Sequence, residues 1–168
     1  MAIAYLVISL AEKKIKSFSE FIHERKTGEI KKSLVLAFMM FALMIAIGWG
    51  WLGERWLTMV CVYAWGFGDA AAALIGKKFG KRKTKLPFVD EHKTVEGSVT
   101  MFLVSFVTVL LILFFNANLP WYGYLIISLS AAAVSADVEL RTKNGYDTVT
   151  CPIAAAAVIL PLLYLFAI

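Results

Sequence analysis

Asp69 stands where a carboxylate is expensive. It follows Trp65-Gly66-Phe67-Gly68 and precedes Ala70–Ala73, inside an apolar run over roughly residues 56–76. A carboxylate at the centre of a membrane helix costs about 2.5–3.5 kcal/mol on insertion scales, so it ordinarily faces a polar interior and marks a site. The plainer alternative is a buried pairing with a basic residue that joins two helices. Gly68, Ala72 and Gly76 recur every four residues around it, a spacing that lets a neighbouring backbone come close. With a helix end near Gly76, Asp69 lies about 10 Å inside.

The segment after this run is KKFGKRKTKLPFVDEHKTVEGS, residues 77–98. Its first half, with Lys77, Lys78, Lys81, Arg82, Lys83 and Lys85, suits a membrane surface and supplies positive field. Its second half crowds Asp90, Glu91, His92, Lys93, Thr94 and Glu96 just before the next apolar run. Lys93 and Thr94 are suited to phosphate, and Glu96 to Mg²⁺ or to orienting Lys93. No Walker A spacing is present, and His92 alone reads as an interfacial side chain. A third group, Ser135, Asp137 and Glu139, ends another apolar run and is followed by Asn144, Gly145, Tyr146 and Asp147. Pairing of Asp137 with Arg141 and Glu139 with Lys143 at i,i+4 would contribute only about 0.2–0.5 kcal/mol each. Taken together, Asp69, Glu96, Asp137, Glu139 and Asp147 fall at or just below one membrane face, under a rim of lysines. Carboxylates in that arrangement fit a Mg²⁺–polyphosphate site.

The elements that must position these residues follow from composition. In 168 residues, 60% are hydrophobic, 17% are charged and mean hydropathy is +0.75, too apolar for a chain of this size to bury from water. Disorder and a disulfide scaffold are excluded by the same figures; Cys61 and Cys151, both in apolar surroundings, are expected to stay unpaired. Five runs, 34–52, 56–76, 99–116, 119–138 and 151–168, approach the roughly 20 helical residues that a span needs. A shorter apolar run, 1–11, lacks the basic start and cleavage site of a signal peptide. Residues 12–33 carry Ile15, Phe18, Phe21 and Ile22 at near-helical spacing, as in an interfacial amphipathic helix.

The expectation is an all-α polytopic transmembrane bundle, a single domain over 1–168, with five full spans plus a short N-terminal apolar helix and an interfacial helix. Counting the first run as a crossing, segments 12–33, 77–98 and 139–150 share one side and hold 16 of the 17 Lys and Arg. The positive-inside rule makes that side cytoplasmic. Clustering of the +5 net charge into these loops argues against a nucleic-acid groove. Trp49, Trp51 and Trp56, with Trp121, Tyr122 and Tyr124, form an aromatic belt at the other side. Pro120 and Pro152 are placed at helix starts and Pro161 at a kink.

GDAAAALIGKKFGKRK (68–83) followed by HKTVEGS (92–98) resembles the paired motifs of the dolichol kinase, phytol kinase and CTP-dependent diacylglycerol kinase group. Integral-membrane CDP-diacylglycerol synthases share a related version. Glu139 and DTVTCP (147–152) resemble the kinases' downstream glutamate and DN-x-[ST]-x-P element, with Thr148 in place of the usual Asn. Arg25 and Lys26 look like the family's RK pair, without the histidine that commonly follows. The resemblance implies CTP as phosphoryl donor, Mg²⁺ as cofactor and a lipid alcohol as acceptor at the cytoplasmic face. Asp69, Lys93 and Glu96 are then the candidate catalytic residues. Lys77, Lys78, Lys81, Lys93 and Thr94 are candidates for phosphate binding, and Asp69, Glu96, Glu139 and Asp147 for metal. Cytidylyl transfer to a lipid phosphate is the nearest alternative, although the long C-terminal motif of the synthases is not visible. A small transporter or scaffold is the alternative of another class, and the small-residue stripes permit a homodimer.

Overall fold

The computed structural model describes residues 29–82, 93–142 and 145–166. The apolar run 1–11, the amphipathic segment as far as residue 28, Arg25–Lys26, Lys83, Lys85, Asp90, Glu91, His92, Lys143 and Asn144 lie outside the described residues. Within them the chain forms helices α1 (Glu29–Ile45), α2 (Arg55–Phe79), α3 (Val95–Asn116), α4 (Trp121–Arg141) and α5 (Asp147–Phe166), and no strand. All five are long and apolar enough to cross a membrane, α1 together with the turn that follows it. The all-α polytopic bundle expected from composition is the architecture found.

The helices extend further into the charged segments than hydropathy alone indicates. α2 continues to Phe79, where Lys77 and Lys78 occupy its last turn and complement the helix dipole. Asp69 therefore lies about 15 Å from that end rather than 10 Å, at 1.5 Å per residue. α3 starts at Val95, capped by Thr94, whose Oγ1 accepts from the Gly97 N–H at 3.2 Å. α5 begins at Asp147 rather than at residue 151 and runs continuously to Phe166. Pro152 is thus in its second turn, not at the start, and Pro161 does not interrupt the helix. Pro120 does cap α4 as expected.

Between α1 and α2 the chain makes a π-helical turn, Ala46–Trp51. The Thr58 hydroxyl donates to the Met44 carbonyl at 2.9 Å, drawing it away from the regular ladder. Gly48 allows this, because a Cβ there would collide with Thr58.

Consecutive helices α2, α3, α4 and α5 pack on one another, and α5 returns against α1 and α2. Met40, Val60, Cys61, Leu113, Ile127 and Ile159 are among the fully buried side chains of a core cluster; Cys61 and Cys151 are both buried and form no disulfide. Leu103, Val107 and Leu111 on α3 face outward, about half exposed each, as suits lipid as solvent. The tightest seam joins α2 to α3. A Cβ on Gly68 would come within 2.5 Å of Met101 Sδ and 2.6 Å of Ser105 Oγ, while Ser105 donates to the Ala64 carbonyl at 2.8 Å. Turns at residues 52–54 and 117–120 close one end of the bundle. The other end carries the described residues 80–82, 93–94, 142 and 145–146.

Candidate functional site

That second end holds a cavity of about 320 Å³, and three carboxylates from three helices converge on it. Asp69 comes from α2, on the face it shares with Ala72, Ala73 and Gly76 through the helical repeat. Glu139 comes from α4, on the buried face of Ser128, Ala132 and Ser135. Asp147 is the first residue of α5, where one oxygen accepts from the Thr148 N–H at 3.0 Å. One carboxylate oxygen from each of the three lies within 4.8 Å of the others. At an effective dielectric of about 20, two unit charges at that separation repel by about 3 kcal/mol. The cluster therefore needs cations.

Lys93 supplies one. Its Nζ lies 2.5 Å from Glu139 Oε1 and 3.5 Å from Asp147 Oδ2, and it also donates to the Glu139 carbonyl oxygen. Burial works against its charge, but the hydrogen bond to Glu139 and the charges of Glu139 and Asp147 outweigh it. They hold the ammonium above its ordinary range. Three carboxylates against this one ammonium leave a formal charge of −2. Asp69 accepts no side-chain hydrogen bond from any described residue. The donor set of three hard oxygens, one of them without a hydrogen-bonding partner among the described residues, fits a small divalent cation.

Lys77 and Thr94 line the same cavity. Thr94 packs between Gly76, Gly80 and Gly97, where added Cβ atoms would press on it. Its Oγ1 already accepts the capping bond, leaving the O–H free to donate into the cavity.

Glu96 is a correction. Expected with the other acids, it instead lines a separate groove on the outer face of α2 and α3, with Lys81, and accepts from the Arg82 N–H at 3.4 Å. One residue along α3 from Gly97, which faces the cavity, it points about 100° away. Lys78 lies over the Phe79 ring, 5.3 Å from its centroid, and not in the cavity. Asp137 turns outward and pairs with Arg141 at 2.8 Å, both exposed. The partner of Glu139 is Lys93, 46 residues away.

The sequence reading gave no role to Ala73, Gly97 or Ser98, which also line the cavity. The available signal was size: a Cβ on Gly97 would lie 3.2 Å from the Ala72 carbonyl oxygen, so the Gly68–Ala72–Gly76 stripe needs a small residue opposite it.

Fold and site define a polytopic membrane bundle with an acidic, lysine-bridged cavity at one end. A phytol kinase of Synechocystis sp. (strain ATCC 27184 / PCC 6803 / Kazusa) is 30% identical over 103 residues, covering 59% of this chain and 40% of the relative. The chain thus spans less than half of that protein's length. No protein-family model and no solved structure matches it.

Proposed function

We propose that this protein is a lipid-alcohol kinase that uses CTP and Mg²⁺ at the cytoplasmic membrane face. The observation carrying the proposal is the meeting of Asp69, Glu139 and Asp147 around Lys93 in a cavity whose rim bears Lys77 and Thr94. Similarity to a phytol kinase supports the reaction class, and the bias of 16 of 17 basic residues to the charged side supports the orientation.

Asp69, Glu139 and Asp147 would hold Mg²⁺, which neutralises charge on the phosphate oxygens. Lys77 and Thr94 bind the donor's phosphates from the rim. Lys93 fixes Glu139 and Asp147 against each other and presents positive charge to the transferring group. The acceptor's hydrocarbon remains in the bilayer while its hydroxyl reaches Asp69, the acid set furthest along a span from the charged end. Its oxygen forms a bond to the γ-phosphorus as the bond to the β–γ bridging oxygen breaks. CDP leaves, and the hydroxyl proton passes to the carboxylate that orients it. Transfer of this kind depends on positioning and charge stabilisation, which rigid helix-borne groups provide.

Purified protein with Mg²⁺, γ-labelled CTP and a panel of phytol, polyprenol and diacylglycerol tests the reading. Label in the organic phase with release of CDP is expected. Pyrophosphate release with cytidine in the lipid product would replace the kinase by a cytidylyltransferase. Absence of both, with no Mg²⁺-dependent nucleotide binding, would leave a non-catalytic membrane protein.

A further inference from the structure

The groove that takes Glu96 lies on the outer face of the α2–α3 pair and shares no residue with the acidic cavity. It measures about 510 Å³ and is divided by chemistry. Phe79, Val95 and Val99 form an apolar half, exposed by 53%, 41% and 51% on the outer surface of the spans. Lys81, Arg82 and Glu96 form the polar half, where two cations and one carboxylate leave a formal charge of +1. Hydrogen bonds of the main chain hold the Gly80–Arg82 backbone at the level where α3 begins. Val95 N–H donates to the Arg82 carbonyl at 3.0 Å, Gly80 N–H to the Gly76 carbonyl at 3.1 Å, and Arg82 N–H to Glu96.

We propose that this groove binds one anionic phospholipid of the surrounding bilayer, its phosphodiester between Lys81 and Arg82 and an acyl chain against Phe79 and Val99. One negative charge matches the groove's single net positive charge, and a guanidinium offers paired N–H donors to phosphate oxygens. Free phosphate would leave the apolar half uncovered. A zwitterionic lipid would leave the net charge uncompensated. A diffuse polybasic surface, by contrast, responds only to the number of charges and not to the shape beside them. Binding here requires nothing of the reaction proposed for the acidic cavity.

The test uses the full chain in neutral detergent, titrated with phosphatidylglycerol, phosphatidylethanolamine and phosphatidylcholine, with retained lipid counted by native mass spectrometry. One phosphatidylglycerol is expected to be held in preference to the others. Lys81→Gln and Arg82→Gln should each weaken it by about fivefold. Val99→Phe, which narrows the apolar half without altering charge, should weaken it as well. Lys32→Gln removes one exposed charge away from the groove and should leave retention unchanged. All four side chains are exposed, so the substitutions leave the packed core intact. Equal retention of the three lipids overturns the proposal, as does an equal loss in Lys32→Gln, indifference to Val99→Phe, or displacement of the lipid by inorganic phosphate.

Discussion

Both ends of the bundle enclose a cavity, yet they settle their polar groups differently. At the end away from the lysines Glu54, Trp56, Asn116 and Asn118 meet Leu160 and Tyr164 around about 410 Å³. Hydrogen bonds there are local. Tyr124 O–H donates to the Ala117 carbonyl at 2.7 Å and accepts from Leu119 N–H, and Asn116 donates to Ile112 one turn back. Arg55 stacks on Trp49 across the same turn. At the charged end, Lys93 and the acids it joins are 46 and 54 residues apart in sequence, and Asp69 comes from a further helix. Local bonds close a turn and leave little unsatisfied. Three like charges gathered from three helices leave an electrostatic demand that a ligand can meet.

The largest test of that contrast is Asp69→Asn. Lipid phosphorylation should fall by about 10²-fold or more, while thermal unfolding in detergent is unchanged or rises, since one of three repelling charges is gone. Normal turnover would remove Asp69 from the proposed chemistry. Next is Lys93→Met, which leaves the carboxylates without their ammonium and should cost about 3 kcal/mol of stability. Millimolar Mg²⁺ should raise the unfolding midpoint more in this variant than in the unaltered chain; equal or absent responses would mean that the acids hold no divalent cation.

Alkaline titration sharpens the same point. Lys93 is held above its ordinary value of 10.5, so the stability it contributes is complete below pH 10.5 and is lost as pH rises through the higher folded value. The unfolding midpoint should drop in that alkaline window, and Lys93→Met should lack the step. The smallest effects belong to acids outside the convergence. Glu96→Gln and Asp137→Asn should each change stability by about 0.5 kcal/mol or less and retain turnover. A loss in Glu96→Gln as deep as in Asp69→Asn would return Glu96 to the site.

Asp137 and Glu139 show where sequence reasoning ran out. They are two positions apart on α4, and their i,i+4 neighbours are equally basic. A 200° difference in helical phase sends one to water with Arg141 and the other beneath Lys93. Asp147 was legible as an acid near a membrane face, but its place at the first turn of α5 was hidden by the later start that hydropathy assigns. The close α2–α3 approach was visible in the spacing of Gly68, Ala72 and Gly76, while its partner Gly97 was not.

The order of the chain alone determined that this protein is built of apolar helices, that its charge gathers at one end, and that Asp69 is out of place in hydrocarbon. Those are local sums: hydropathy over 20 residues, or one side chain against its surroundings. Only the tertiary structure decided that Glu139 and Asp147, and not Glu96 or Asp137, join Asp69 and Lys93. Helix phase and the packing of neighbouring helices set distances between residues far apart in sequence, and Coulomb repulsion among acids matters only once those distances are short.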